Sequence, residues 1–166
     1  MRIIHSIVFL MVLTCLGGCG VYSFTGATIA GKTINIHVLE NRAQNINPSL
    51  VPTLTSKIRG RILSQTGLSP LNSDDVDYDV SGSIKNYITT VSGIQNTQTA
   101  SQNRLTVDVE IVFKNRLDQK ANFTQTFSRF ADFPANQTLQ NVEGALIEDI
   151  GTQLADDIFN KAFVNW

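Results

Sequence analysis

Few side chains in this 166-residue sequence are of types that do chemistry. There are two cysteines, Cys15 and Cys19, and two histidines, His5 and His37. Three of these four fall in the first nineteen residues, which leaves His37 without the thiol or further imidazoles that a Cys-His pair or a multi-histidine zinc centre requires. The G-x-S-x-G elbow of serine hydrolases is absent. His37 alternates with isoleucines that read as core, so it points to solvent or to a partner. Asp74, Asp75, Asp77 and Asp79 have the crowding of a calcium loop. An EF-hand started at Asp75 puts Val80 at the glycine position and Asn86 at the bidentate glutamate position, so the match fails. A solvated acidic turn ahead of a strand is the better reading. Basic residues gather loosely at Arg104, Lys114, Arg116, Lys120 and Arg129, and the trio Lys114, Arg116 and Lys120 would suit a phosphorylated lipid or glycan. Solubility alone also accounts for such scattered charge. No catalytic residue and no metal site is expected.

The N-terminus carries the sharper signal. Arg2 precedes an apolar run, Ile3 to Leu16, which ends in Leu16-Gly17-Gly18-Cys19. A charged start, an apolar stretch and small residues make a secretory signal peptide. The run is shorter than the ~18 apolar residues of a spanning helix. Leu-x-Gly before cysteine resembles the lipobox of bacterial lipoproteins, which implies cleavage after residue 18 and a covalent lipid on Cys19. Gly20, rather than aspartate, follows Cys19; by resemblance to lipoprotein sorting rules, this implies the outer membrane. With Cys19 acylated no thiol remains for a disulfide, a metal or redox work. The chain thus divides into a signal peptide (1–18), a lipidated tether (19–31) and one domain (32–166). Lys and Arg total 13 against 14 Asp and Glu, a balance that argues against a nucleic-acid binder.

The elements that hold these residues follow from periodicity. Lys32 to Val38 alternates, with Ile34, Ile36 and Val38 on one face, as a half-buried strand does. Asn47-Pro48 opens a helix whose stripe is Leu50, Leu54, Ile58 and Ile62, widened by Val51 and Leu63; Gly67 closes it and Gly60 marks close packing. Tyr78, Val80, Gly82, Ile84 and Ile88 share the parity of a second strand. Ser92 to Gln102, rich in Gln, Asn, Thr and Ser, reads as a long exposed connection. Leu105, Val107, Val109, Ile111 and Phe113 are the cleanest alternation, and Phe123, Phe127, Ala131 and Phe133 continue on a fourth strand. Leu139 to Val164 is a long helix with Val142, Leu146, Ile150, Leu154, Ile158 and Phe163 on its stripe, about 39 Å at 1.5 Å per residue. The order β-α-β-β-β-α predicts an α+β two-layer sandwich, two helices on one face of a four-stranded, mostly antiparallel sheet. The sequons at Asn122 and Asn136 are accidental in a lipobox protein.

Taken whole, the mature chain resembles the lipopolysaccharide-assembly lipoproteins of the LptE family. The resemblance rests on Cys19-Gly20-Val21-Tyr22-Ser23-Phe24-Thr25-Gly26, Asn47-Pro48-Ser49-Leu50, Asn103-Arg104-Leu105-Thr106, Phe127-Ser128-Arg129-Phe130-Ala131-Asp132-Phe133 and Asp157-Ile158-Phe159-Asn160-Lys161-Ala162. It implies two helices on a four-stranded sheet and a non-enzymatic role without cofactor. It also implies an outer-membrane location and a partner: such proteins plug and stabilise the LptD β-barrel and assist delivery of lipopolysaccharide. No lipid-contact residue carries over by position; Lys114, Arg116 and Lys120 are inferred from charge alone. The alternative is a free periplasmic lipoprotein that binds or shuttles a lipid or glycan in a pocket between helices and sheet.

Overall fold

The computed structural model describes residues 29–45, 47–94 and 100–164. The signal peptide, Cys19 and most of the tether therefore lie outside the described residues, as do residues 95–99 of the expected connection.

The elements in chain order are β1 (Thr33–Ile36), β2 (Glu40–Asn41), α1 (Leu50–Thr66), β3 (Ser69–Pro70), β4 (Tyr78–Ile94), β5 (Ala100–Asn115), a 3₁₀ turn (Gln119–Ala121), β6 (Phe123–Pro134) and α2 (Leu139–Phe163). The sheet order is β3-β1-β4-β5-β6, with β2 also beside β4. β1 and β2 run parallel to β4 and β3 parallel to β1, whereas β4, β5 and β6 form antiparallel hairpins. The parallel β1–β4 pairing follows from α1, because such strands need a long crossover connection. This is the expected α+β sandwich, with two very short strands added at its edge.

The core lies between the helices and one sheet face. The α1 stripe Leu50, Leu54, Ile58 and Ile62 is buried as its period predicts. Gly67 ends the helix at φ +65°, its N–H donating to the Leu63 carbonyl, a left-handed cap that glycine adopts at least cost. Asn47 acts earlier than a cap: its Oδ1 accepts from both the Ser49 N–H and Oγ, each at 2.7 Å, and the helix begins at Leu50. Along α2 the buried residues are Ile147, Ile150, Gly151, Leu154, Ala155, Ile158, Phe159 and Phe163, while Leu139, Val142 and Leu146 pack at the margin. Tyr78, Phe113, Phe123, Phe159 and Phe163 form an aromatic cluster with centroids 5.3 to 6.0 Å apart, fastening the end of α2 to the sheet. Lys57–Glu148 and Arg61–Asp156 bridge the helices at 2.6 and 2.9 Å.

Several expectations are corrected by register. Between the pairs Ile36↔Val80 and Glu40↔Ser83 the β1–β2 side has four steps against three on β4. The extra residue turns the chain over: Val38, expected in the core, is 64% exposed, and Leu39 is buried in its place with its N–H on Thr55 Oγ1. A second irregularity follows Ile84, which pairs with Val109 while Asn86 pairs with Asp108. Lys85 is the extra residue of a β-bulge, so parity reverses. Tyr87 enters the core and Ile88, expected inside, is 45% exposed. Gly60 faces open space, so it marks no close packing. The tight helix crossing is at Gly151, where an added Cβ would lie 3.1 Å from Leu54 and 3.3 Å from Lys57. Of the connection expected over Ser92 to Gln102, the described residues at both ends are strand, since β4 runs to Ile94 and β5 starts at Ala100.

Candidate functional site

The face of the sheet turned away from the helices is built from the alternate residues of the same strands. β5 contributes Arg104, Thr106, Asp108, Glu110, Val112 and Lys114; β6 contributes Thr124, Thr126, Ser128, Phe130 and Asp132. β4 adds Asp79, Ser81 and, after the bulge, Asn86, Ile88 and Thr90. Cross-strand neighbours on one face are about 5 Å apart, close enough for opposite charges to meet. They do meet here. Lys85 Nζ lies 3.3 Å from Glu110 Oε1, and Asn86 Nδ2 donates to Asp108 Oδ2 at 2.7 Å. His37 Nε2 is 2.7 Å from Asp79 Oδ2. Arg104 is bidentate on Asp132 at 2.7 and 2.9 Å, with its guanidinium 3.6 Å above the Phe130 ring centroid. That bidentate bond holds the Asp132 carboxyl below its ordinary value and the Arg104 guanidinium above its own. Asp108 Oδ1 is buried and has no partner among the described residues.

One end of the face is a cavity of ≈560 Å³ beside the β5–β6 turn, lined by His37, Asp77, Asp79, Lys114, Arg116 and Asn122 among others. The turn is self-built: Asn115 Oδ1 accepts from the Leu117 and Asp118 N–H groups, and Asn122 Oδ1 from the Asn115 N–H. Arg116 is already taken, paired with Asp75 and at 3.1 Å with Asp77. Asp77 also accepts the Lys32 N–H at 2.7 Å and the Thr33 N–H at 3.1 Å. The Lys32 N–H is the largest cause, Arg116 and the Thr33 N–H the next, of a carboxyl pKa lowered from 3.8 to about 2. The four aspartates therefore do not converge on a common point: two hold Arg116, and Asp79 holds His37.

The basic residues thus separate. Lys114 and Arg116 share the cavity lining; Lys120 sits on the 3₁₀ turn outside it. Arg129 faces the helix side and is bidentate on Asp157 of α2, at 2.5 and 2.6 Å. Among the described residues, Lys114 and Lys120 are the members of the group in no ion pair. Cys19 lies outside the described residues.

Sequence reasoning missed the Arg104–Phe130–Asp132 stack and the His37–Asp79 pair, because both depend on register. Sequence reasoning also counts the phosphate loop G-x-x-x-x-G-K-[ST] as absent, and this is wrong as a statement of the letters: Gly26-Ala27-Thr28-Ile29-Ala30-Gly31-Lys32-Thr33 spells it. The context is wrong for that loop, which opens a helix. Here Thr33 opens β1, and the chain's own Asp77 carboxylate occupies the Lys32 and Thr33 N–H groups.

No helix among the described residues is long and apolar enough to cross a membrane. The arrangement can dock: it offers paired charges, hydroxyls and one stacked aromatic on the open side of the sheet.

No curated protein sequence matches the chain. Its fold is similar to that of a minor lipoprotein from Acinetobacter baumannii, with a TM-score of 0.53, 16% identity, and coverage of 80% of this chain and 93% of that one. It is also similar to the rare lipoprotein B from Shewanella oneidensis, with a TM-score of 0.52, 13% identity, and coverage of 78% and 92%. An uncharacterised lipoprotein B from Nitrosomonas europaea gives a TM-score of 0.51 at 11% identity, covering 78% and 81%. The model of one family, described as lipopolysaccharide-assembly, matches residues 31–162, nearly the whole described domain. The chain belongs to the LptE family of lipopolysaccharide-assembly proteins.

Proposed function

We propose that the protein is an outer-membrane lipoprotein, anchored by lipid on Cys19, that plugs and stabilises an LptD-type β-barrel and so assists assembly of lipopolysaccharide. The observation that carries this reading is the open sheet face, where Lys85–Glu110, Arg104–Asp132 and His37–Asp79 compensate one another. A porin-like lumen is polar, so a face whose charges are mostly paired can be buried there, with Lys114 and the Asp108 carboxylate left to meet polar groups of the barrel. The tether raises local concentration at the membrane without any contact energy. Lys114, Arg116 and Lys120 are the proposed contacts to the lipid's phosphates, with Arg116 the least available because two aspartates hold it.

The free lipid carrier is disfavoured by the interior. Leu50, Leu54, Ile58, Ile62, Ile147, Ile150, Leu154 and Ile158 are each at most 2% exposed and belong to one cluster, which fills the space such a carrier would keep for acyl chains.

Depletion in the living cell tests the proposal. Loss of the protein should lower both surface lipopolysaccharide and correctly assembled barrel. Unchanged levels of both would overturn it, and loss of surface lipid with normal barrel would favour the carrier.

A further inference from the structure

Every sheet needs a way to keep its edges from pairing with stray strands: short edge strands, charges, prolines or bulges. Three edges of this sheet have one. β3 is two residues long and ends in Pro70; β2 is two residues long and bears Glu40. β6 carries Arg129 and Asp132 and ends in Pro134.

The outer edge of β4 beyond the bulge is different. Its strand partners on that side, β1 and β2, reach only Val80 and Ile84. Asn45 Nδ2 then covers the Tyr87 carbonyl at 3.1 Å. Hydrogen-bonding direction alternates along a strand, so Thr89 and Val91 repeat the outward direction of Tyr87. Among the described residues no strand pairs with them on that side. Between Lys85 and Arg104 the sequence contains no charged residue and no proline. Ile88, Thr89, Thr90 and Val91 are all exposed and all β-branched, with Val91 at 61%. Here the protein omits the protections it uses elsewhere.

We infer that this edge, Ile88 to Val91, receives an extended, uncharged loop segment of the barrel partner, which adds to the sheet as a strand because the wall strands of a closed barrel have no free edge to offer; the inference rests on the plug reading above. The size of the edge selects this occupant over a second copy. Four residues bury on the order of a few hundred Å², far below the ~1,200 Å² of a stable interface, and cannot offset the cost of associating two free molecules. A barrel already engaged by the open face and the tether presents such a loop at high effective concentration, where a few main-chain hydrogen bonds suffice. Neutral side chains on β4 ask for neutral ones opposite, since a buried unpaired charge would be costly.

The test is amide hydrogen exchange on the full lipidated protein, free and in complex with the lipopolysaccharide-exporting barrel of its own outer membrane. The segment 86–92 should exchange at least about tenfold more slowly in the complex. Thr89→Pro, which removes an outward N–H, and Thr89→Lys, which adds an edge charge, should each lower complex recovery several-fold, while Thr89→Val should not. All three should melt with the wild type, because Thr89 lies outside the core. Equal exchange in the two states, with the complex intact, overturns the edge contact and leaves the plug reading standing. Protection that appears in the isolated protein and grows with its concentration assigns the edge to a second copy and overturns the inference. Failure of the wild type to form any complex overturns the plug reading and this inference with it.

Discussion

The two faces of β5 are made by the same sixteen residues and do opposite work. Toward the helices, Leu105, Val107, Val109, Ile111 and Phe113 are at most 1% exposed. Away from them, Arg104, Asp108 and Glu110 are held by cross-strand partners, and Lys114 is exposed. One face supplies stability through apolar burial, about 25 cal/mol per Å². The other contributes little to folding, because exposed ion pairs are worth roughly 0–1 kcal/mol each.

That contrast can be broken most severely from the apolar side. Ile111→Ala should destabilise the domain by about 2–5 kcal/mol, read from urea unfolding, because the cavity forms where the sheet meets the helices. A loss under about 1 kcal/mol would mean the core is looser than its burial implies. The helix crossing is next. Gly151→Val should cost about 1–3 kcal/mol by overpacking against Leu54 and Lys57. Gly60→Ala, facing open space, should instead stabilise by up to about 1 kcal/mol. Equal effects at the two glycines would contradict the packing described.

Acid unfolding sharpens the polar side. Asp77 has its folded-state pKa lowered from 3.8 to about 2 by the Lys32 N–H, Arg116 and the Thr33 N–H. A depressed carboxylate stabilises the fold above its unfolded pKa and loses that contribution as pH falls through the folded value. Stability should therefore decline between about pH 4 and pH 2, and Asp77→Asn should flatten that part of the profile while lowering stability at neutral pH. An unchanged profile would show that the bonds to Asp77 contribute nothing. The smallest effect is expected at Glu110→Gln, within about 0.5 kcal/mol in the isolated protein.

Much of this architecture was legible because burial imposes period. The α1 stripe, the β5 alternation and the Gly67 cap all stand where spacing places them. What spacing does not encode is the single inserted residue. One extra position between Ile36 and Glu40 exchanges Val38 for Leu39, and Lys85 exchanges Ile88 for Tyr87. Tyr87 then reaches Glu143 on α2, and burial together with that carboxylate pushes its hydroxyl pKa well up. The site was less legible for the same reason. Arg104 and Asp132 are 28 residues apart in sequence, and only register makes them neighbours. Lys114, Arg116 and Lys120 look alike as letters, yet two aspartates hold one of them and a turn carries another away from the cavity.

The central claim is that the open face meets the barrel. The direct test is Asp108→Lys combined with Glu110→Lys, with the protein recovered from solubilised outer membranes. The account predicts a wild-type stoichiometric complex with a large β-barrel, and a double variant that melts within a few degrees of wild type but is recovered alone. A double variant that still purifies in full complex with the barrel would contradict it.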